Sequence, residues 1–512
     1  MMPTHRHGLR QTARQAGRLL RERMAAACEL DSRSLAAYRI GLGLILLADA
    51  LLRTRDFRLM FASDGIFPLA TLQRFNGDAS VWSVAFLHDA TWLSGIVLAA
   101  EGAAGALLAL GLWLPATSVV AWVALVSVLR RTAPATNAGD AWLACQMFWS
   151  MFLPLAACWS LDARRSREAP PALVRSVASA ALILQLAAVY GGAGLAKLNA
   201  SWFSGEALAR ALSVHDHGTA LGMAIAQSPW LTAVITWFVL ALELACPVAL
   251  AILPAAQIRL ALVAAFMLFH VLIWMTMSVG LFAAIGIVAW LPLIPGEAWD
   301  AVGLRARPDA APSGAAGSAA TLRGGPAWLC GTALLVAAAS FLHVVSPWRH
   351  RPLPRPVVIA VNAGCLSQDW GMFGDVPAQE QWVYGRGLLA DGREIDVLRG
   401  GRPLQVDRPD GGFSSLPHHR WHKLFWVLPR PHMRLFSADV AGGLARHWNA
   451  THGPDEQLRS LEIRYARRGS RPADTVTQEL FVAGWPPRDS TGGGGLERFL
   501  DATGPSPRAG VE

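Results

Sequence analysis

The sequence predicts a polytopic α-helical membrane protein of about nine transmembrane helices, followed by a C-terminal extracytoplasmic β-rich domain. Three observations predict it. Mean hydropathy is +0.34, with 53% hydrophobic and only 16% charged residues. The apolar residues gather into stretches of the roughly 17 to 25 residues that cross a bilayer. After about residue 345 the chain turns polar, turn-rich and strand-like.

The expected spans are 36–53, 91–112, 114–130, 141–160, 173–198, 230–253, 257–277, 279–295 and 326–345. The second and third nearly run together, as do the seventh and eighth. Four regions follow: a basic cytoplasmic arm over 1–34, a transmembrane domain over 35–345, an extracytoplasmic β-rich domain over 346–486, and a disordered tail over 487–512. The arm carries Arg6, Arg10, Arg14, Arg18, Arg21, Arg23 and Arg33 without the apolar core of a secretory signal. With this arm inside, Arg164, Arg165, Arg167 and Arg175 share a cytoplasmic loop, as do Arg305, Arg307 and Arg323, in line with the positive-inside rule. Arg53, Arg55, Arg58, Arg130 and Arg131 oppose it. Residues 308–325, rich in Ala, Gly, Ser and Pro, read as a flexible loop.

In the outer domain, Val383–Leu389 and Glu394–Leu398 flank Asp391-Gly392, a tight-hairpin signal. Leu461–Arg467 and Thr475–Ala483 suggest a second hairpin. Arg420 and Lys423 are expected on a β-ribbon with Trp421 on its opposite face, and Trp370 and Phe373 are expected to pack onto the membrane part. His418, His419 and His422 read as a solvated turn, and no metal site is expected. Of six cysteines only Cys365 should face outside, which excludes a disulfide within the outer domain by count. A net charge of +9 fits an inner face meeting acidic lipid, so membrane lipid is an expected partner and nucleic acid is not. The Arg- and Ala-heavy composition points to a bacterial inner (plasma) membrane.

Among 45 Lys+Arg positions only Lys197 and Lys423 are lysine. Lys197 sits in the apolar, glycine-rich run Tyr190-Gly-Gly-Ala-Gly-Leu-Ala-Lys-Leu-Asn-Ala-Ser-Trp202. A buried Lys is able to lose its proton and act as a base, whereas Arg stays charged. The plain alternative is a Lys snorkelling from a helix end to the interface. Ionisable groups inside a bilayer need a partner or a cavity. Arg39, Glu101, Lys197, Glu243 and His270 are the five that stand out. Glu243 and His270 fall at similar depths on adjacent antiparallel helices, so a carboxylate–imidazole pair is expected. Gly191, Gly192, Ala193 and Gly194 let backbones approach, and Asn199, Trp202, Gly205 and Glu206 form an interfacial turn with Trp202 at headgroup level.

Tyr38-Arg-Ile-Gly-Leu-Gly, Ser63-Asp-Gly-Ile-Phe-Pro68, Asn137-Ala-Gly-Asp140, Trp159-Ser-Leu-Asp162, the Tyr190–Glu206 run and Phe269-His270 through Gly280-Leu-Phe282 resemble the HTTM domain family over roughly 35–300. That family includes the vitamin K-dependent γ-glutamyl carboxylases. Gln368-Asp-Trp-Gly-Met-Phe373 and Arg420-Trp-His-Lys423 are similar to the extracytoplasmic part that follows this domain. The resemblance implies that Lys197 is a base deprotonating a reduced, vitamin K-like quinone, and that His270 matches a membrane histidine of the carboxylases; Glu243, an ionisable residue central in a span, is a further catalytic candidate. Asn199, Trp202, Glu206 and Arg39 are the substrate-binding candidates. The carboxylases carry a further histidine where this chain has Thr136-Asn-Ala-Gly-Asp140. Two readings stay open: a carboxylase-like membrane enzyme acting on a quinol or other hydrophobic substrate, and a non-catalytic partner for peptide or protein maturation, export or immunity.

Overall fold

The computed structural model describes residues 27–305 and 327–487, apart from 79, 166–170, 215, 253–255, 348, 377 and 470–477. Most of the expected arm, the 308–325 loop and nearly all of the expected tail lie outside the described residues.

The membrane part contains α1 (Ser32–Arg53), α2 (Thr91–Leu110), α3 (Leu114–Arg131), α4 (Ala138–Ser150), α5 (Val177–Ala196), α6 (Pro229–Ile252), α7 (Ala256–Thr276), α8 (Phe282–Trp290) and α9 (Ala327–Val345). Among the described residues seven helices are long and apolar enough to cross a membrane: those beginning at Ser32, Thr91, Leu114, Val177, Pro229, Ala256 and Ala327. A helix satisfies its own backbone in lipid, which is why apolar runs of this length become helices. The chain is therefore a polytopic helical membrane protein, and large side chains such as Leu51, Trp92, Trp230, Phe238, Trp274 and Leu335 stand exposed for lipid.

The expected spans 141–160 and 279–295 are shorter as helices. α4 has 13 residues and α8 has nine. Both segments nonetheless run between the same two ends of the bundle. α4 starts at Asp140 beside Arg420, and beyond it the Trp159 carbonyl accepts from Arg39 at 2.7 Å. α8 starts where Phe282 meets Gly139, and the Ile294 carbonyl after it accepts from Ser34 at 2.6 Å. Pro154 stops the first helix early, because the residue before proline is pushed out of the α region.

Helices α1 and α2 approach so closely that a Cβ on Gly43 would lie 2.5 Å from the Gly105 carbonyl oxygen. The described residues just before α1 are packed. Leu30–Asp31 pairs with Leu173–Val174, and Arg33 bonds Asp31 at 2.8 Å and Asp300 at 2.6 Å.

Beyond α9 come α10 (Arg355–Gly364) and a segment over 365–376 that packs into the bundle. A five-stranded antiparallel sheet follows, of β1 (Gln379–Leu389), β2 (Glu394–Asp396), β3 (Arg402–Pro403), β4 (Leu458–Gly469) and β5 (Gln478–Trp485), in the order β3-β2-β1-β4-β5. The Asp391-Gly392 turn is present, with Gly392 at φ +90, and β4 pairs with β5 as the second hairpin. The region is sheet-rich, but it also holds α11 (His419–Val427) and α12 (Ser437–Thr451). These pack on one sheet face with Val383, Leu461, Ile463 and Tyr465.

The expected β-ribbon at Arg420–Lys423 is thus a helix. His418 caps it, and Trp421, Leu424, Phe425 and Leu428 fall at helical spacing and are buried. Trp370 and Phe373 pack onto the membrane part as expected, Trp370 against Gly192 and Phe373 against His217.

Candidate functional site

Lys197 caps the C-terminal end of α5. The glycines before it admit their neighbours: Cβ atoms on Gly191, Gly192 and Gly194 would each come within 3.1 Å of Pro247, Trp370 and Leu244 respectively. Lys197 is 3% exposed and Glu243 5%. Nζ donates to Glu243 Oε1 at 3.2 Å and lies 2.9 Å from Oε2. It also donates to the Met372 carbonyl at 2.9 Å and, at 3.4 Å, to that of Ala193. The Trp202 ring lies 5.0 Å from Nζ, a cation–π contact. An ammonium and a carboxylate touching out of water form a net-neutral pair, and one proton moved between them gives an amine and a carboxylic acid, also neutral.

His270 does not meet Glu243. Its Nε2 lies 2.7 Å from the Tyr190 hydroxyl, which accepts from Trp290 Nε1 at 2.8 Å. Gly286 leaves room for the imidazole, since a Cβ there would lie 2.2 Å from its Cε1. The expected pair is corrected by helix rotation: similar depth put Glu243 and His270 level, but Glu243 faces α5, where Lys197 offers it a charge.

The other expected binding residues are placed as follows. Asn199 caps the short helix Ala200–Phe203 through Ser201 N and donates to Gly374 O. Trp202 is buried, and its indole N–H donates to the Phe373 carbonyl at 2.9 Å. Glu206 is exposed and paired with Arg210. Arg39 sits at the opposite end of the bundle from Lys197, bonded to the carbonyls of Leu108, Ala109 and Trp159. Asn199, Trp202, Glu243 and Lys197 are brought together; Arg39, Glu206 and His270 are not part of that cluster.

A second charged centre joins the bundle to the sheet domain. Arg53 bonds Asp49 at 2.7 Å and Asp140 at 3.4 Å, and Arg420 bonds Asp49 at 2.5 Å and Asp140 at 3.1 Å. Buried Glu101 adjoins Asp49. Sequence reading missed this network, although Asp49 and Arg53 stand at helical i,i+4 spacing. The Arg53 charge is neutralised inside the protein. Arg130 and Arg131 likewise spend their charge on the carbonyls of Trp82, Phe61 and Phe67.

Nor are the three histidines a solvated turn. His418 contacts Asp56. His422 stacks between Phe413 and His217, 5.0 and 4.4 Å away. His419 packs on Gly280. Among the described residues no three His, Cys, Asp or Glu side chains are grouped to hold a metal. Burial pulls His217 and His419 down to about 4, and Lys423 down to about 8. Burial pushes Asp216 up to about 6 against the pull of Arg408.

The family model described as HTTM domain matches residues 140–299. The chain carries an HTTM domain. The HTTM match begins at Asp140 and takes in Lys197, Glu243 and His270, and this family is tied to vitamin K-dependent carboxylase-like proteins. Together with the apolar helices, this match supports an integral membrane protein that contains an HTTM domain. Among the curated proteins and the solved structures, none matches the chain.

Proposed function

We propose that this HTTM protein is a carboxylase-like membrane enzyme in which Lys197 is the base acting on a reduced quinone or another hydrophobic substrate. The observation that carries the reading is the buried contact of Lys197 with Glu243. Glu243 takes a proton from Nζ, and the resulting amine takes one from a substrate hydroxyl. The Trp202 face holds the ammonium that results, and Met372 O keeps Nζ aimed. Lys197, Glu243 and Trp202 are the residues that would meet the polar end of a quinol. When bound, a reduced quinone would supply the hydroxyl and two electrons. The protein sits in a bacterial inner membrane with nine passes and the sheet domain outside.

A second reading has its own support. All three Nζ hydrogens have acceptors, one of them on the segment leading to the sheet domain. That arrangement favours a lock, and with it a non-catalytic partner for peptide or protein maturation, export or immunity. Lys197→Arg, assayed on the phenotype of a deletion strain, decides between them, because Arg keeps the charge but gives no base. Mass spectrometry of the purified protein for a co-purifying quinone checks the substrate class.

A further inference from the structure

The cysteine count argued against a disulfide because it considered the outer domain alone. The fold brings one membrane cysteine to Cys365. Cys145, fully buried in α4, has its Sγ 3.4 Å from the Cys365 carbonyl oxygen. The Cys145 sulfur therefore lies against the backbone of Cys365.

Three further observations show that this is a prepared position. Cys365 closes α10 at φ +52, a left-handed conformation in which glycine is the usual residue. A side chain kept there at a cost in backbone strain signals a role. Arg130 reaches the Cys365 sulfur at 3.7 Å, and the Gln368 amide reaches the Cys145 sulfur at 3.8 Å. A guanidinium beside a thiol favours its thiolate, the form that attacks a disulfide. Burial pushes the Cys365 thiol up and Arg130 opposes the push.

The chain downstream gives the pair its consequence. Gln368 bonds Gln185 of α5 at 2.8 Å, and four residues later Met372 accepts from Lys197. Whatever fixes Cys365 fixes the start of the segment that covers Lys197.

We propose that Cys145 and Cys365 form a disulfide that fastens the 365–374 segment to α4. The oxidant is a disulfide-bearing molecule. Two S–H bonds and the oxidant's S–S bond break, and one Sγ–Sγ bond forms. The two electrons and two protons leave with the oxidant as a pair of thiols.

The test uses the full-length wild-type protein in detergent, incubated with oxidised glutathione, denatured, alkylated and mapped by mass spectrometry without reductant. The expected result is a peptide pair joined through Cys145 and Cys365, with Cys28, Cys158, Cys246 and Cys330 alkylated. Recovery of Cys145 and Cys365 as alkylated thiols, or as separate glutathione adducts, overturns the proposal. Hydrogen exchange reads the consequence: the amides of 370–374 should exchange several-fold more slowly in the oxidised protein. Equal rates in the linked and reduced forms overturn the fastening role.

Discussion

Arg420 donates to the carboxylate of Asp49 at 2.5 Å, across 371 residues of chain. The same guanidinium reaches Asp140, so one side chain of the sheet domain ties α1 to α4. A buried charge pair adds little net stability over an apolar replacement, but removing one partner strands the other and costs about 3–5 kcal/mol. Arg420→Met should therefore loosen the sheet domain from the bundle and expose the connection near residue 350 to protease. Lys at 420 should not restore protection, because its single ammonium has no planar fork to span two carboxylates. Protection of the Met variant equal to wild type would show that the apolar seam alone holds the domain.

The seam also has an acid limit. His217 and His419 have folded values of about 4, below the ordinary 6.5. Groups depressed in this way contribute stability that is complete above 6.5 and is lost as pH falls toward about 4. Asp216, raised to about 6, works in the opposite direction over the same range. Two histidines outweigh one carboxyl, so protease sensitivity of the sheet domain should rise between pH 6.5 and 4. His217→Gln together with His419→Gln should flatten the profile. An unchanged profile in that double variant would remove the histidines as its cause.

The passes between the two ends of the bundle can be tested directly. Nine passes from a cytoplasmic N-terminus put the chain after α9 outside, and seven would do the same. Alkaline phosphatase fused after residue 350 should be active in a bacterial host. An inactive fusion beside an active cytoplasmic reporter at the same position means an even number of crossings.

Seven of the expected spans were legible because hydropathy and length are properties of local sequence, and Lys197 stood out because lysine is so rare here. Partner choice was not. Glu243 meets Lys197, 46 residues away, through the rotation of α6, which depth along the chain does not encode. The Asp49–Arg53 half of the second centre was local and open to reading. Its Arg420 half depended on a docked domain. Helix α11 was missed because Pro417-His-His reads as a turn while its apolar repeat is only a few residues long.

The last prediction concerns Lys197 itself. If Lys197 must give up a proton to Glu243, Lys197→Arg should lower activity by 10²-fold or more, on the order expected for a lost general base. The variant should still reach the membrane, since Arg also pairs with a carboxylate. Glu243→Gln keeps the shape but accepts no proton, and should lower activity while Gln still hydrogen-bonds Nζ. A lock behaves differently. Arg would then serve nearly as well as Lys, while Lys197→Ala would strand Glu243 and cost about 3–5 kcal/mol, seen as lost membrane levels. Activity per membrane-inserted molecule separates the two outcomes. A fully active Lys197→Arg protein would leave Lys197 as a structural cation and sink the enzyme reading.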